Sequence, residues 1–187
     1  MKISKKKFIY LISPNKIYPQ FYKDLKEILE TGKIGFFQMR LKKYSFEERN
    51  LIGKKIQQIC KKNNVKFLVN DNPILSKKLN ADGCHLGQKD MDIKNARKII
   101  GNKIIGITCH NSIRLVKTAI KEKASYIAIG AFFSTKTKKV KFKATTKILN
   151  KVKKLTKAPI VAIGGINFDN YKKLLLNNAN LLAISSY

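Results

Sequence analysis

Asp71 and Asp90 are the residues of this sequence best suited to hold a metal ion. The chain has 187 residues, with 11 Asp and Glu against 40 Lys and Arg, so acidic groups are scarce. Two of them follow successive short apolar runs. Asn70-Asp71 closes one, and Asp82-Gly-Cys-His-Leu-Gly-Gln-Lys-Asp90 carries the next. Carboxylates at the exits of neighbouring strands make a seat for a hard divalent cation. Mg²⁺ takes one or two carboxylates and completes its shell with water and substrate phosphates.

Further groups with chemistry follow other apolar runs. In extended geometry alternate residues share a face, so Gln38, Arg40 and Lys42 point one way and two cations there could hold a diphosphate. Taken alone they are more often the charges of a solvated loop. Thr108 to His110 end a fifth run. The sixth leads into Ser134-Thr135-Lys136-Thr137-Lys138, hydroxyls alternating with lysines as in an anion clamp. The seventh leads into Gly164-Gly165, which lets backbone N–H groups approach a ligand closely. The eighth ends Ile184-Ser185-Ser186. His85 reads as a packed polar residue pointing inward and His110 as a loop-orienting one, because neither has the partner spacing of a zinc site.

Eight apolar runs carry these groups: 8–12, 35–39, 66–69, 83–86, 104–107, 126–129, 160–163 and 181–184. The segments between them have helical periodicity. Leu25, Ile28 and Leu29 mark the first helix, and Leu51, Ile52, Ile56 and Ile59 the second. Ile113, Val116, Ala119 and Ile120 mark the fifth, and Leu174 to Leu176 the last. Ser45 followed by Glu48 is a capping-box pattern. Repeated strand–helix alternation predicts parallel strands with crossover helices. Eight repeats predict one compact α/β domain over 1–187, a (β/α)8 TIM barrel without its final helix, since the chain stops just after the eighth strand. An open flavodoxin-like sheet is the alternative. Barrel enzymes keep their chemistry at the C-terminal strand ends, with backbone amides after strands 7 and 8 as a phosphate cradle.

Composition narrows the class. No apolar run approaches the ~20 residues of a membrane span, and the stretch after the basic N-terminus is too short for a signal peptide. The sequence therefore predicts a cytoplasmic protein with no membrane partner. Three cysteines without CxxC spacing read as reduced, buried thiols. The net charge of +29 is spread along the chain and is mostly Lys, with abundant Asn and Ile, as AT-rich coding produces. Arg, the better reader of base edges, is rare, so nucleic acid is not the expected partner. A basic surface still attracts anionic substrates.

In this order the motifs resemble the thiamine phosphate synthase family, which includes a thiazole tautomerase branch. They are Gln38-Met-Arg-Leu-Lys42, Asn70-Asp71, Ala81 through Asp90, Gly130 through Lys138, and Val161-Ala-Ile-Gly-Gly-Ile166. The resemblance runs from Phe8 to Ser186. It implies a (β/α)8 enzyme that joins 4-amino-2-methyl-5-hydroxymethylpyrimidine diphosphate to a thiazole phosphate and releases pyrophosphate. Carried over, it places Mg²⁺ on Asp71 and Asp90. It puts the diphosphate on Arg40, Lys42, Asn70 and Lys138, with Arg40, Lys42 and Lys138 as the catalytic cations. Gln38 and Thr108, the latter a family Ser, would face the pyrimidine. Thr135 and Thr137, with the amides at Gly165, Ile184 and Ser185, would take the thiazole phosphate.

Ala131 departs from a common Pro, and 139–143 lacks the usual Gly/Pro-rich loop, which implies a shorter lid. A second copy of the chain is a candidate cover for the place of the missing helix. Both acidic residues, Arg40 and Lys138 favour the synthase over the tautomerase, which needs neither metal nor diphosphate. A non-catalytic barrel binding phosphates or RNA is the reading from another class.

Overall fold

A computed structural model describes residues 7–134 and 143–185. Along the chain run β1 (Ile9–Ile12), α1 (Phe21–Glu30), β2 (Ile34–Met39), α2 (Phe46–Lys62), β3 (Lys66–Asn70), α3 (Pro73–Lys78), β4 (Gly83–Leu86) and α4 (Ile93–Ile100). They continue with β5 (Ile104–His110), α5 (Ile113–Lys121), β6 (Tyr126–Gly130), α6 (Thr146–Leu155), β7 (Ile160–Ile163), α7 (Tyr171–Leu176) and β8 (Leu181–Ile184). All eight strands are parallel and pair in chain order. β1 pairs with β8, Ile9 opposite Leu182 and Leu11 opposite Ile184, so the sheet closes into a barrel and the open-sheet alternative falls. Among the described residues no helix follows β8. The ladder between first and last strands closes the barrel without one.

Strand pleating divides each apolar run between two cores. One set of side chains fills the barrel: Tyr10, Ile12, Phe36, Leu68, Tyr126, Ala128, Val161, Leu181 and Ala183. The alternate set faces the helices. Leu11, Phe37 and Val69 pack with Leu25, Leu29, Ile56 and Leu75 on one side, and Ile127, Ala162 and Leu182 with Val116, Leu149, Val152 and Leu174 on the other. Burying one such Leu, Ile or Phe side chain contributes about 1.5–3 kcal/mol. This two-sided burial explains why the strands read as continuous apolar runs. Gly106 on β5 makes room inside the barrel, because a Cβ there would lie 1.8 Å from the Tyr126 ring.

The capping box at α2 forms as the sequence predicts. Ser45 Oγ accepts from the Glu48 N–H at 3.2 Å, and Glu48 Oε2 accepts from the Ser45 N–H at 2.7 Å. The face that α2 buries differs from the predicted stripe. Asn50, Gly53, Ile56 and Cys60 are buried, while Leu51 is 63% exposed and Ile52 and Ile59 are only half-buried. Gly53 explains the rotation: it seats the helix against Leu79 and Met39, where a Cβ would lie 2.6 Å from Leu79 Cδ1. In α7 only Leu174 is buried, and Leu176 is 84% exposed. No described helix is long and apolar enough to cross a membrane.

Candidate active site

The barrel interior is apolar at its base and carries a line of polar side chains above it. Gln38 on β2 is buried, 3% exposed, and its Nε2 donates to Asn70 Oδ1 on β3. Gln38 Oε1 accepts from the Tyr10 hydroxyl of β1 at 2.7 Å. The Tyr10 and Tyr126 hydroxyls are 2.8 Å apart, and Tyr126 lies 2.7 Å from His85 Nδ1. His85 Nε2 then meets Thr108 Oγ1 on β5 at 2.9 Å. His85 thus points into the barrel as its sequence context predicts, stacked on the Tyr126 ring. Burial holds its imidazole down at about 4, below the usual histidine value, so it is neutral at neutral pH. The β5–β6 ladder shifts register between Thr108 and His110, as at a bulge.

Asp71 and Asp90 meet at the C-terminal mouth, close enough for each carboxyl to shift the other's proton affinity. Asp71 follows β3 in the left-handed region, with φ 60°, a conformation that Asp tolerates better than most residues. Its N–H donates to the His85 carbonyl at 2.8 Å, which fixes it to β4. Asp90 is held by the Gly87 N–H, 2.7 Å from Oδ2. Burial works to raise the Asp71 carboxyl. Hydrogen bonds from Lys42, Asp90 and Asn70 and the Lys42 charge outweigh it, so Asp71 stays ionised below the usual carboxylate range. Burial first, then the hydrogen bond and charge of Asp71, push the Asp90 carboxyl up. Two carboxylates in contact favour one negative charge unless a cation joins them.

Lysine already supplies a positive charge at this place: Lys42 Nζ lies 2.7 Å from Asp71 Oδ2. Arg40 is half-buried. Its N–H donates to Ser13 Oγ at 2.8 Å, and its guanidinium donates to Asn15 Oδ1 at 2.9 Å. A cleft of about 220 Å³ beside Asp71 is lined by Lys42, Arg49, Asn70 and Asp71, with Met39, Leu41 and Val69. Gln38, Arg40, Lys42, Asn70, Asp71, Asp90 and Thr108 therefore gather around the mouth of β1 to β5.

The opposite side of the mouth is built on the diglycine. Gly164 and Gly165 have φ of 103° and 63°. A Cβ on Gly165 would lie 2.2 Å from the Ser134 carbonyl, so only glycine lets this turn pack on the β6 loop. The Phe133 N–H donates to the Gly164 carbonyl at 3.0 Å. Ile184 and Ser185 are half-buried at the end of β8. Thr135, Thr137 and Lys138 lie outside the described residues.

Sequence reasoning missed Tyr10, Tyr126, Ser13, Asn15 and Arg49. The tyrosines sit inside apolar strands and read as core. The other three carry ordinary loop or helix polarity, and no local spacing ties them to the strand ends. The cysteines fall as read. All three are buried and burial pushes each thiol up, which leaves no thiolate nucleophile at neutral pH.

Comparison with known proteins agrees with this arrangement. A family model described as thiamine monophosphate synthase matches residues 9–187. The chain is 63% identical to a thiamine-phosphate synthase of Pelagibacter ubique, over 97% of this chain and 88% of that one. It is 40% identical to a thiamine-phosphate synthase of Erythrobacter litoralis, over 95% and 85% of the two chains. Among solved structures, a thiamine phosphate pyrophosphorylase from Pyrococcus furiosus superposes with a TM-score of 0.86 at 32% identity, covering 97% of this chain and 86% of that one. The chain belongs to the thiamine monophosphate synthase family.

Proposed function

We propose that this member of the thiamine monophosphate synthase family is a Mg²⁺-dependent transferase. It joins 4-amino-2-methyl-5-hydroxymethylpyrimidine diphosphate to 4-methyl-5-(2-phosphoethyl)thiazole and yields thiamine phosphate and pyrophosphate. The observation that carries the metal dependence is the contact between Asp71 and Asp90 with a lysine ammonium on the same carboxylate. The donor set fits a hard cation. Two carboxylates from neighbouring strand ends come together, and Asp71 opens onto a cleft with room for water and phosphate oxygens. Mg²⁺ held by Asp71 and Asp90 would leave most of its shell for water and diphosphate oxygens. When bound, it supplies charge stabilisation for a departing diphosphate.

The chain's own residues do the rest. Arg40, Lys42, Asn70 and Lys138 bind the diphosphate and offset the charge that grows on it as the bond to the pyrimidine methylene breaks. Lys42, now 2.7 Å from Asp71 Oδ2, would be released to pair with that anion if the two carboxylates held a metal. The positive charge left on the methylene is delocalised into the aminopyrimidine, which Gln38 and Thr108 orient. Thr135, Thr137 and the amides at Gly165, Ile184 and Ser185 hold the thiazole phosphate so that the ring nitrogen faces the methylene carbon. Positioning of this kind replaces a bimolecular encounter. No enzyme nucleophile is required.

The test is a single incubation of the protein with Mg²⁺ and both substrates, followed by mass spectrometry. Thiamine phosphate that forms only when both substrates are present is the expected result. No product, or rearrangement of the thiazole without the pyrimidine, contradicts the reading.

A further inference from the structure

Gln38 and Thr108, which face the pyrimidine in the proposed reaction, lie on β2 and β5 and are the two ends of one buried hydrogen-bond chain. Tyr10, Tyr126 and His85 link them across the barrel. Each hydroxyl has one proton to donate, and a neutral imidazole has one N–H, so the direction of one bond sets the next.

The Gln38 amide sets the first direction, because its Nε2 donates to Asn70 Oδ1. Gln38 Oε1 then accepts from Tyr10. With its proton used, Tyr10 must accept from Tyr126. With its own proton used, Tyr126 must accept from His85, so Nδ1 carries the hydrogen. An imidazole buried between two hydroxyls is neutral, so Nε2 is a bare acceptor and Thr108 donates to it. Reversing any one bond leaves two donors or two acceptors facing each other in a buried site, which costs a full unsatisfied pair.

We propose that this ordered chain makes Thr108 an acceptor toward the substrate, and so selects a ring that carries an amino group over one that carries an oxo group at the position facing Thr108. With its proton committed to His85, Thr108 offers only oxygen lone pairs to the mouth. An exocyclic amine donates to them, and an oxo group meets lone pair with lone pair. Gln38 keeps one N–H and one lone pair for the ring, because its other two sites are occupied by Asn70 and Tyr10. Tyr10, Tyr126 and His85 are positioning residues. They set the substrate's donor pattern through Gln38 and Thr108 without touching the reacting atoms. The inference rests on the proposed pyrimidine site.

Two measurements test it. In the ¹⁵N-histidine-labelled protein at neutral pH, long-range ¹H–¹⁵N correlation reads the His85 tautomer directly. A hydrogen on Nδ1 is expected, and a hydrogen on Nε2 overturns the proposal. Calorimetry with Mg²⁺ then compares the aminopyrimidine diphosphate with its oxo analogue. In Tyr126→Phe, His85 loses its Nδ1 acceptor and is expected to move its hydrogen to Nε2 and donate to Thr108, whose proton turns to the ligand. The preference for the amino compound should fall about tenfold or more, the scale on which a mismatched polar contact discriminates. Equal weakening of both ligands overturns the proposal. Thr108→Ser should keep the preference and Thr108→Val should lose it, and a preference unchanged in Thr108→Val also contradicts it. Binding with normal discrimination but no turnover would contradict the synthase reading and leave the selection by Thr108 standing.

Discussion

Asp71 and Asp90, which leave β3 and β4 separately, bring their carboxyl groups close enough for each to shift the other's proton affinity. The contact is unfavourable between two charged groups, and the fold builds it deliberately. Asp71 is pinned by its N–H to the His85 carbonyl, and Asp90 by the Gly87 N–H to its side chain. A pair held in this way favours a bound cation.

Replacing Asp90 separates binding from stability. Its carboxyl is pushed up by burial and by Asp71, so its charge is a burden in the metal-free fold. Asp90→Asn should melt at the same temperature as the parent, or above it, in chelator. Mg²⁺ at 100 times its dissociation constant should stabilise the parent by about 2.7 kcal/mol and leave Asp90→Asn unchanged. Thermal melts with and without Mg²⁺ check both halves.

His85 makes stability depend on pH with a definite sign. Unfolded, it takes up a proton below about 6.5. Folded, it resists until about 4. Between these values the unfolded state binds more protons, so stability falls as pH falls through that window. The loss from this residue is about 3 kcal/mol once pH is below 4. Urea unfolding across pH 7 to 4 should show this component, and His85→Asn should lack it.

Gly165→Ala should destabilise the protein by about 2 kcal/mol or more. The residue would have to hold φ 63° with a Cβ 2.2 Å from the Ser134 carbonyl, and a left-handed conformation alone costs 1–2 kcal/mol. Chemical denaturation checks the loss. Because the clash falls on the β6 loop, the Michaelis constant for the thiazole phosphate should rise as well.

The net charge of +29 should act on rate more than on fold. Both substrates are anionic, so kcat/KM should fall as ionic strength rises from ~0.05 to ~0.5 M while kcat changes little, because steering is screened beyond a Debye length. Initial rates over a salt series check this.

The strands were legible because a strand buried on both faces is apolar throughout and is bounded by turn residues. The acidic pair was legible because acid is scarce in this chain and chemistry in this architecture sits at strand ends. Leu51 was misplaced because periodicity counts apolar residues, whereas α2 packs through its smallest side chain, Gly53. Tyr10 and Tyr126 were illegible because an aromatic residue in an apolar run reads as core. Their hydroxyls gain meaning only when β1 and β6, 116 residues apart at this pair, face each other across the barrel. His85 was placed correctly, but its partners on β5 and β6 lie 23 and 41 residues away and leave no local pattern.

The central claim is that Asp71 and Asp90 hold the metal on which thiamine phosphate formation depends. The most direct test follows product formation in the chelator-treated protein as Mg²⁺ is added back, for the parent and for Asp71→Ala/Asp90→Ala. The parent should be inactive in chelator and recover with Mg²⁺, while the double variant should stay about 10³-fold lower, the scale expected when stabilisation of a leaving anion is lost. Full activity in chelator, or a double variant as active as the parent, would contradict the account.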